Sequence, residues 1–200
     1  IKFIFTSMLA QASKMIPYSS GLTTVGPSWK MHSYWIPPEH FEMNVWHYFE
    51  NRFRKVYAGK QESNQLIRNY KEAKKFSDLN DGANVFIKTH NALEIKDIIP
   101  ENSVDYVFTD PPYGGAIQYF ELSTLWASWL KLDLNYNEEI TINRNQNKDF
   151  EYYHKMLRAS FKQVYQILKP GKYMNVSFHS TAINVWNSII KAVVLVGFEL

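Results

Sequence analysis

Val104-Asp105-Tyr106-Val107-Phe108-Thr109-Asp110-Pro111-Pro112-Tyr113-Gly114-Gly115 is the stretch on which the fold of this chain turns. Residues 104–109 are apolar at nearly every position except Asp105, a pattern that predicts a strand buried on both faces, as in a parallel sheet covered by helices. Two prolines then end the strand. They remove two backbone N–H donors and stiffen the turn. Gly114 and Gly115 leave room for close approach and permit unusual dihedrals.

Outward from this stretch, the downstream chain alternates helix and strand. Residues 117–130 read as a helix, and 132–149, rich in Asn, as a loop. Residues 150–168 form an amphipathic helix with Tyr153, Leu157, Phe161, Val164 and Leu168 on one face, closed by Lys169-Pro170-Gly171. Residues 173–178 read as a strand, 182–196 as a helix, and Phe198 as the start of a fourth strand. Upstream, residues 85–89 read as a strand and 92–99 as a short helix or turn closed by Pro100. Such alternation implies an α/β fold of parallel βαβ units with right-handed crossovers.

The first 80 residues have a different character. Residues 3–16 show helical apolar spacing. Residues 17–38, with Pro17, Gly21, Gly26, Pro27, Pro37 and Pro38, read as loop. A helix is expected over 39–58, opened by Pro38-Glu39, with Phe41, Val45, Trp46, Phe49 and Phe53 on one stripe and a break at Gly59. A second helical, basic stretch is expected over 61–76. The chain is therefore expected to divide into a helical, aromatic and basic segment, 1–80, and a sheet-bearing segment, 81–200.

Composition narrows the class. The chain has 200 residues, 46% apolar and 16% aromatic, so it is globular and long enough for one sizeable core. Its net charge of +3 excludes a basic tail, yet between Glu50 and Lys75 eight basic residues face three acidic ones. A local basic stretch of this kind attracts polyanions, although a solvated helix face has the same composition. The absence of cysteine excludes disulfides and thiolate zinc sites and is compatible with a reducing, cytoplasmic setting. The longest apolar runs, such as 192–196, are too short to span a bilayer, and Ile1-Lys2-Phe3-Ile4-Phe5 is not read as a signal peptide. A start at Ile1 and an end at Gly197-Phe198-Glu199-Leu200, which reads as mid-strand, lead us to expect a piece of a longer protein.

In open α/β sheets, ligands bind beyond the carboxyl ends of the strands. Asp110 to Tyr113 occupies such an end. Asp110 can accept a hydrogen bond from an amino group, and the Pro111 carbonyl can accept a second. Tyr113 offers a face for a flat ring, a base–aromatic contact being worth roughly 1–3 kcal/mol. A bare Asp-Pro-Pro is more often only a stiff turn. The apolar strand before it and the aromatic and glycines after it favour the site.

Asp110-Pro111-Pro112-Tyr113, with the preceding Ser103 to Thr109, resembles the catalytic motif of amino-methylating DNA methyltransferases that use S-adenosylmethionine. Tyr119, Glu121-Leu122-Ser123, Trp126 and Trp129-Leu130 extend the likeness to one subgroup, and Leu168-Lys169-Pro170-Gly171 and Gly197-Phe198 are common to many class I methyltransferases. The resemblance covers residues 84–200. It implies a partial, mostly parallel Rossmann-like class I methyltransferase sheet behind an N-terminal helical segment. It also implies a flipped target base. Asp110, Pro111, Pro112 and Tyr113 would be the catalytic residues, with the amino nitrogen attacking the sulfonium methyl in line. Adenine N6 is favoured over cytosine N4. Asn91 stands where the family often has an Asp contacting the cofactor adenine, and Asp110 borders the same cofactor site. The family often serves restriction–modification systems.

None of the eight glycines forms a Gly-x-Gly turn after an apolar strand, the family's cofactor signature. The expected partner is therefore the missing cofactor-binding half of the same protein, lying upstream, with DNA as the second partner and no membrane. Phosphate contact is expected from Arg52, Arg54, Lys55, Lys71, Lys74 and Lys75, set among Trp29, Tyr34, Trp35, Trp46, Tyr48, Phe49 and Tyr57. No spacing of His, Asp or Glu suggests a metal site. Two alternatives stand beside this: a guanine-N2 methyltransferase of RNA, and a non-catalytic DNA-binding module derived from a methyltransferase.

Overall fold

A computed structural model describes residues 1–18 and 34–200. Most of the expected loop over 17–38, with Gly21, Gly26, Pro27 and Trp29, lies outside the described residues. The chain forms two compact units, residues 1–68 with 118–136, and residues 69–117 with 137–200.

The first unit is helical. Helix α1 spans Lys2–Met8 and buries Ile4 and Met8. It is shorter than the 3–16 expected. Beyond it the Ser13 hydroxyl donates to the Ala10 carbonyl at 2.7 Å and accepts from the Met15 N–H at 3.2 Å. This side chain offers the backbone a turn in place of a helix. Helix α2 spans Val45–Leu66 and is capped by Asn44, whose side chain accepts from the His47 N–H. Its start is later than Glu39 because residues 39–41 bridge to the 16–18 segment instead: Tyr18 N–H donates to Glu39 O and Phe41 N–H to Ile16 O, both at 3.0 Å. Gly59 does not end α2. It sits mid-helix with open space around it, where glycine costs only about 1 kcal/mol relative to Ala. None of the α2 residues is buried. Helix α3, Tyr119–Leu130, closes this unit. Its Trp126 indole donates to the Thr6 carbonyl at 2.8 Å, and Trp129 meets Phe5 edge-on at 5.5 Å.

The second unit is α/β. Strand β1 is Glu72–Ala73 and β2 is Val85–Phe86, paired in parallel. The helix expected over 61–76 is thus corrected: α2 stops at Leu66, and the following chain pairs with the Asn84 segment. Lys71 N–H donates to the Asn84 side chain at 3.0 Å, and Asn84 N–H returns to the Lys71 carbonyl at 3.0 Å. Strand β3, Val104–Thr109, pairs in parallel with β4, Leu168–Val176. The register slips between Val104 and Tyr106 to accommodate Pro170-Gly171. Between these strands lies helix α4, Phe150–Ile167, capped by Asp149, and after β4 comes α5, Ile183–Val196. Parallel pairs, helical crossovers and an N-terminal helix make a partial Rossmann-like arrangement.

The core lies between α4 and α5. Tyr153, Leu157 and Phe161 meet Val185, Ile189, Ala192 and Val193, and Met174, Val176 and Phe178 pack against them. Only one face of the β3–β4 pair is covered in this way. On the other face, Tyr106, Phe108 and Tyr173 are 56%, 63% and 76% exposed. This corrects the expectation of burial on both sides. The pattern of residues 104–109 suits a strand within a covered sheet, but among the described residues only β4 pairs with it. Phe198 does not start a strand either: its N–H caps α5 at the Val193 carbonyl, after Gly197 turns with φ +118°.

Asp105, at the start of β3, is held by Lys169 at 2.7 Å and Lys172 at 3.4 Å. The Lys169 ammonium, chiefly, keeps its carboxyl below the ordinary carboxylate range. The pair is exposed, so its contribution is small; it is present at neutral pH and fades as the pH falls through the carboxyl's lowered value.

Candidate active site

The turn Asp110 to Gly115 leaves the carboxyl end of β3, where Ser177 N–H extends the strand pairing by donating to the Thr109 carbonyl at 2.9 Å. Asp110 is exposed and Pro111 is buried. The Tyr113 hydroxyl donates to Asp110 Oδ1 at 2.7 Å, so carboxylate and ring are brought together within the turn. The Tyr113 ring stands edge-on to Phe178 at 5.2 Å and 88°, and Phe178 is edge-on to Trp186 at 5.0 Å and 90°. Phe178 follows β4, so the carboxyl ends of the two paired strands share one aromatic corner.

A turn with prolines at 111 and 112 has no N–H groups there to orient it. Its carbonyls are instead held by other segments. The Tyr153 hydroxyl, on α4, donates to the Pro112 carbonyl. Ala116 N–H donates to the Tyr113 carbonyl at 3.2 Å. The Gly114 carbonyl accepts twice, from Thr141 Oγ1 at 3.0 Å and from Ile142 N–H at 3.2 Å. Among the described residues no donor reaches the Pro111 carbonyl, so residues 112–114 are each engaged and 111 is left open.

The segment expected to be only a polar loop proves to be a built support. Asn143 and Lys148 bond reciprocally through their backbones, at 2.8 and 2.9 Å. The Asn143 side chain accepts from the Asn145 and Gln146 N–H groups. Lys148 is buried, donates Nζ to the Glu139 carbonyl at 3.0 Å and lies 5.4 Å from the centre of the Tyr152 ring. Burial pulls its ammonium below the ordinary lysine value, with nearby Glu139 acting against that. Gly114 has φ +65°, and a Cβ there would lie 3.0 Å from Val185 Cγ2; a Cβ on Gly115 would lie 2.9 Å from the Ile142 carbonyl oxygen. The glycines are therefore required by the contact of this loop and α5 with the turn.

Tyr153, Thr141 and Ile142 are the site residues that sequence reasoning missed. The signal for the loop was faint: Ile140 and Ile142 flank Thr141 in an otherwise polar stretch. Tyr153 was legible as a buried position on α4, but not what its hydroxyl does.

The other expected residues are dispersed. Asn91 caps the short 3-10 helix Ala92–Asp97. Its Oδ1 accepts from Leu93 N–H at 3.0 Å, and its Nδ2 donates to Glu138 at 2.8 Å, so both ends of its amide are engaged. Arg52, Arg54 and Lys55 lie on α2, with Arg54 paired to Glu50 at 2.7 Å. Lys71, Lys74 and Lys75 are exposed around β1 in the second unit. His90, Glu94 and Asp97, all exposed, bring ligand atoms within 4.8 Å of one another, a grouping the spacing did not suggest. His90 Nε2 lies 2.9 Å from the Glu94 carbonyl. No helix among the described residues is long and apolar enough to cross a membrane.

Residues 104–200, from the first residue of β3 onward, match a family model described as DNA methylase. No curated protein and no solved structure matches the chain.

Proposed function

We infer that residues 104–200, which match a family model described as DNA methylase, form the base-holding part of an enzyme that methylates an exocyclic amino group of a flipped DNA base. The Pro111 carbonyl, which no donor among the described residues reaches, next to the exposed Asp110 carboxylate, carries this reading. An –NH₂ group presents two donors and needs two acceptors in one plane, as adenine N6 and cytosine N4 both do. The turn offers acceptors and, at its two prolines, no donors to compete. Tyr113 supplies the stacking face. In this reading, Asp110, Pro111, Pro112 and Tyr113 do the holding, with adenine N6 favoured over cytosine N4. Extrusion of the base from the duplex costs a few kcal/mol.

S-adenosylmethionine is the proposed methyl donor, but the described residues do not complete a site for it. Asn91 already spends both ends of its amide, and no glycine in the chain stands in a Gly-x-Gly turn after a strand. The donor-binding half is proposed to lie outside these residues, and the isolated chain is expected to be inactive. Residues 81–200 are the proposed catalytic part and residues 1–80 a proposed DNA-contacting insertion.

The test is methyl incorporation by the full-length protein from labelled donor into duplex DNA and, separately, structured RNA. Label in duplex DNA, recovered after digestion as N6-methyladenine, is expected; label in RNA alone would turn the reading to a guanine-N2 enzyme. For the basic residues, replacing Arg52, Lys55, Lys71 and Lys74 together by Ala should flatten the dependence of log affinity on log salt by about 3 to 4, near 0.9 for each phosphate no longer neutralised. An unchanged slope removes these residues from the interface.

A further inference from the structure

We propose that Tyr153 and Thr141 are positioning residues of the base-holding turn: by fixing the carbonyls of Pro112 and Gly114 from outside, they leave the Pro111 carbonyl as the acceptor aimed at the substrate amino group. The inference rests on the reading of Asp110 to Tyr113 given above and adds residues to it. Three observations carry it. The peptide plane that carries the Pro111 carbonyl has the Pro112 nitrogen at its other end and so no N–H by which a neighbour could hold it; its orientation follows from the planes on either side, of which the next carries the Pro112 carbonyl. Tyr153 is 0% exposed and lies in the α4–α5 core, where a Phe would fill the same space. A buried hydroxyl is costly unless bonded, and this one donates to the Pro112 carbonyl. Thr141 is likewise 0% exposed, and its hydroxyl donates to the Gly114 carbonyl. Each of these bonds ends on a carbonyl of the turn, so each residue acts through the turn.

The consequence is geometric. Freed from Tyr153, the peptide plane between Pro112 and Tyr113 can tilt, and the plane before it tilts with it. Misplacement by about 1 Å at a reacting centre can cost on the order of 100-fold in rate.

The experiment uses the full-length protein with Tyr153→Phe, Thr141→Val and Thr141→Ser, and Asp110→Ala as reference. Single-turnover rate constants and KM values for DNA and donor are measured well below each variant's unfolding midpoint. Tyr153→Phe should lower the rate of methyl transfer about 10- to 100-fold with both KM values within about twofold. Thr141→Val should lower it less, because Ile142 N–H still holds Gly114, and Thr141→Ser should restore it. A purely structural role would shift unfolding midpoints and leave these rates alone. If Tyr153→Phe fails to fold, the Val and Ser pair at position 141 decides the matter. Wild-type rates in Tyr153→Phe and Thr141→Val, with Asp110→Ala dead, overturn the inference and leave the functional reading standing. A wild-type protein that methylates no DNA overturns both.

Discussion

Asp110→Ala in the full-length protein is expected to reduce methyl transfer by about 10²–10³-fold, the usual cost of deleting one preorganised electrostatic partner at a reacting centre. Two losses combine. The amino group loses its carboxylate acceptor, and the Tyr113 ring loses the 2.7 Å tether of its hydroxyl to Asp110 Oδ1. Tyr113→Phe separates them, since it keeps the stacking face and the carboxylate and removes the tether. A smaller loss in Tyr113→Phe than in Asp110→Ala is the expected order. Stability should hardly move, because Asp110 is exposed and outside the α4–α5 core, and surface substitutions usually stay within about 0.5 kcal/mol. Steady-state kinetics beside thermal unfolding of the same preparations checks both halves. Full activity in Asp110→Ala would remove the turn from the chemistry.

Gly114→Ala should produce a large loss of stability, about 2–5 kcal/mol. One component is conformational: at φ +65° an L side chain costs roughly 1–2 kcal/mol. The other is steric. The added Cβ would sit 3.0 and 3.1 Å from the two Cγ atoms of Val185 and 3.4 Å from Ile142 Cδ1. Val185 is itself buried in the core, so it has little room to yield, and overpacking of this kind costs about 1–3 kcal/mol. Gly171→Ala isolates the first component, since Gly171 has φ +72° but nothing within 4 Å of its added Cβ. At roughly 2–4 °C per kcal/mol for a chain of this size, Gly114→Ala should lower the unfolding midpoint by about 5–15 °C and Gly171→Ala by clearly less. Equal shifts would mean that α5 does not press on the turn as described.

The elements legible from sequence were those whose residues carry their own instructions. Strand β3 ends where its apolar run meets Asp110, and α4 starts at its Asp149 cap; its end is less legible, since Leu168 already belongs to β4 and Lys169-Pro170-Gly171, expected to be a closing turn, lie within that strand. The buried stripe of α4, Tyr153, Leu157, Phe161 and Val164, is the one the 3.6-residue period marks. What the sequence concealed depends on partners. Helix α2 passes through Gly59 because one glycine is a small cost spread over 22 residues. β1 is a strand because Asn84 and Lys71 bond across a gap in sequence that no local pattern reveals. Phe198 caps a helix because the α5 backbone offers the Val193 carbonyl. The same division runs through the site. Asp110, Pro111, Pro112 and Tyr113 announce themselves as a contiguous motif, whereas Tyr153 and Thr141 reach it across 41 and 27 residues.

The uncovered face of β3 and β4 has a consequence for handling this protein in solution. Three large aromatic side chains stand on it beside the edge of β3 that no strand among the described residues pairs with. Apolar faces and open strand edges of this kind promote sticking between copies, both through the rings and through edge-to-edge pairing. The usable concentration of the isolated chain is then expected to be set by its colloidal behaviour. Light scattering becomes a necessary companion to every binding curve measured on it, and mild detergents or added charge at Tyr173 become the natural means of keeping it dispersed.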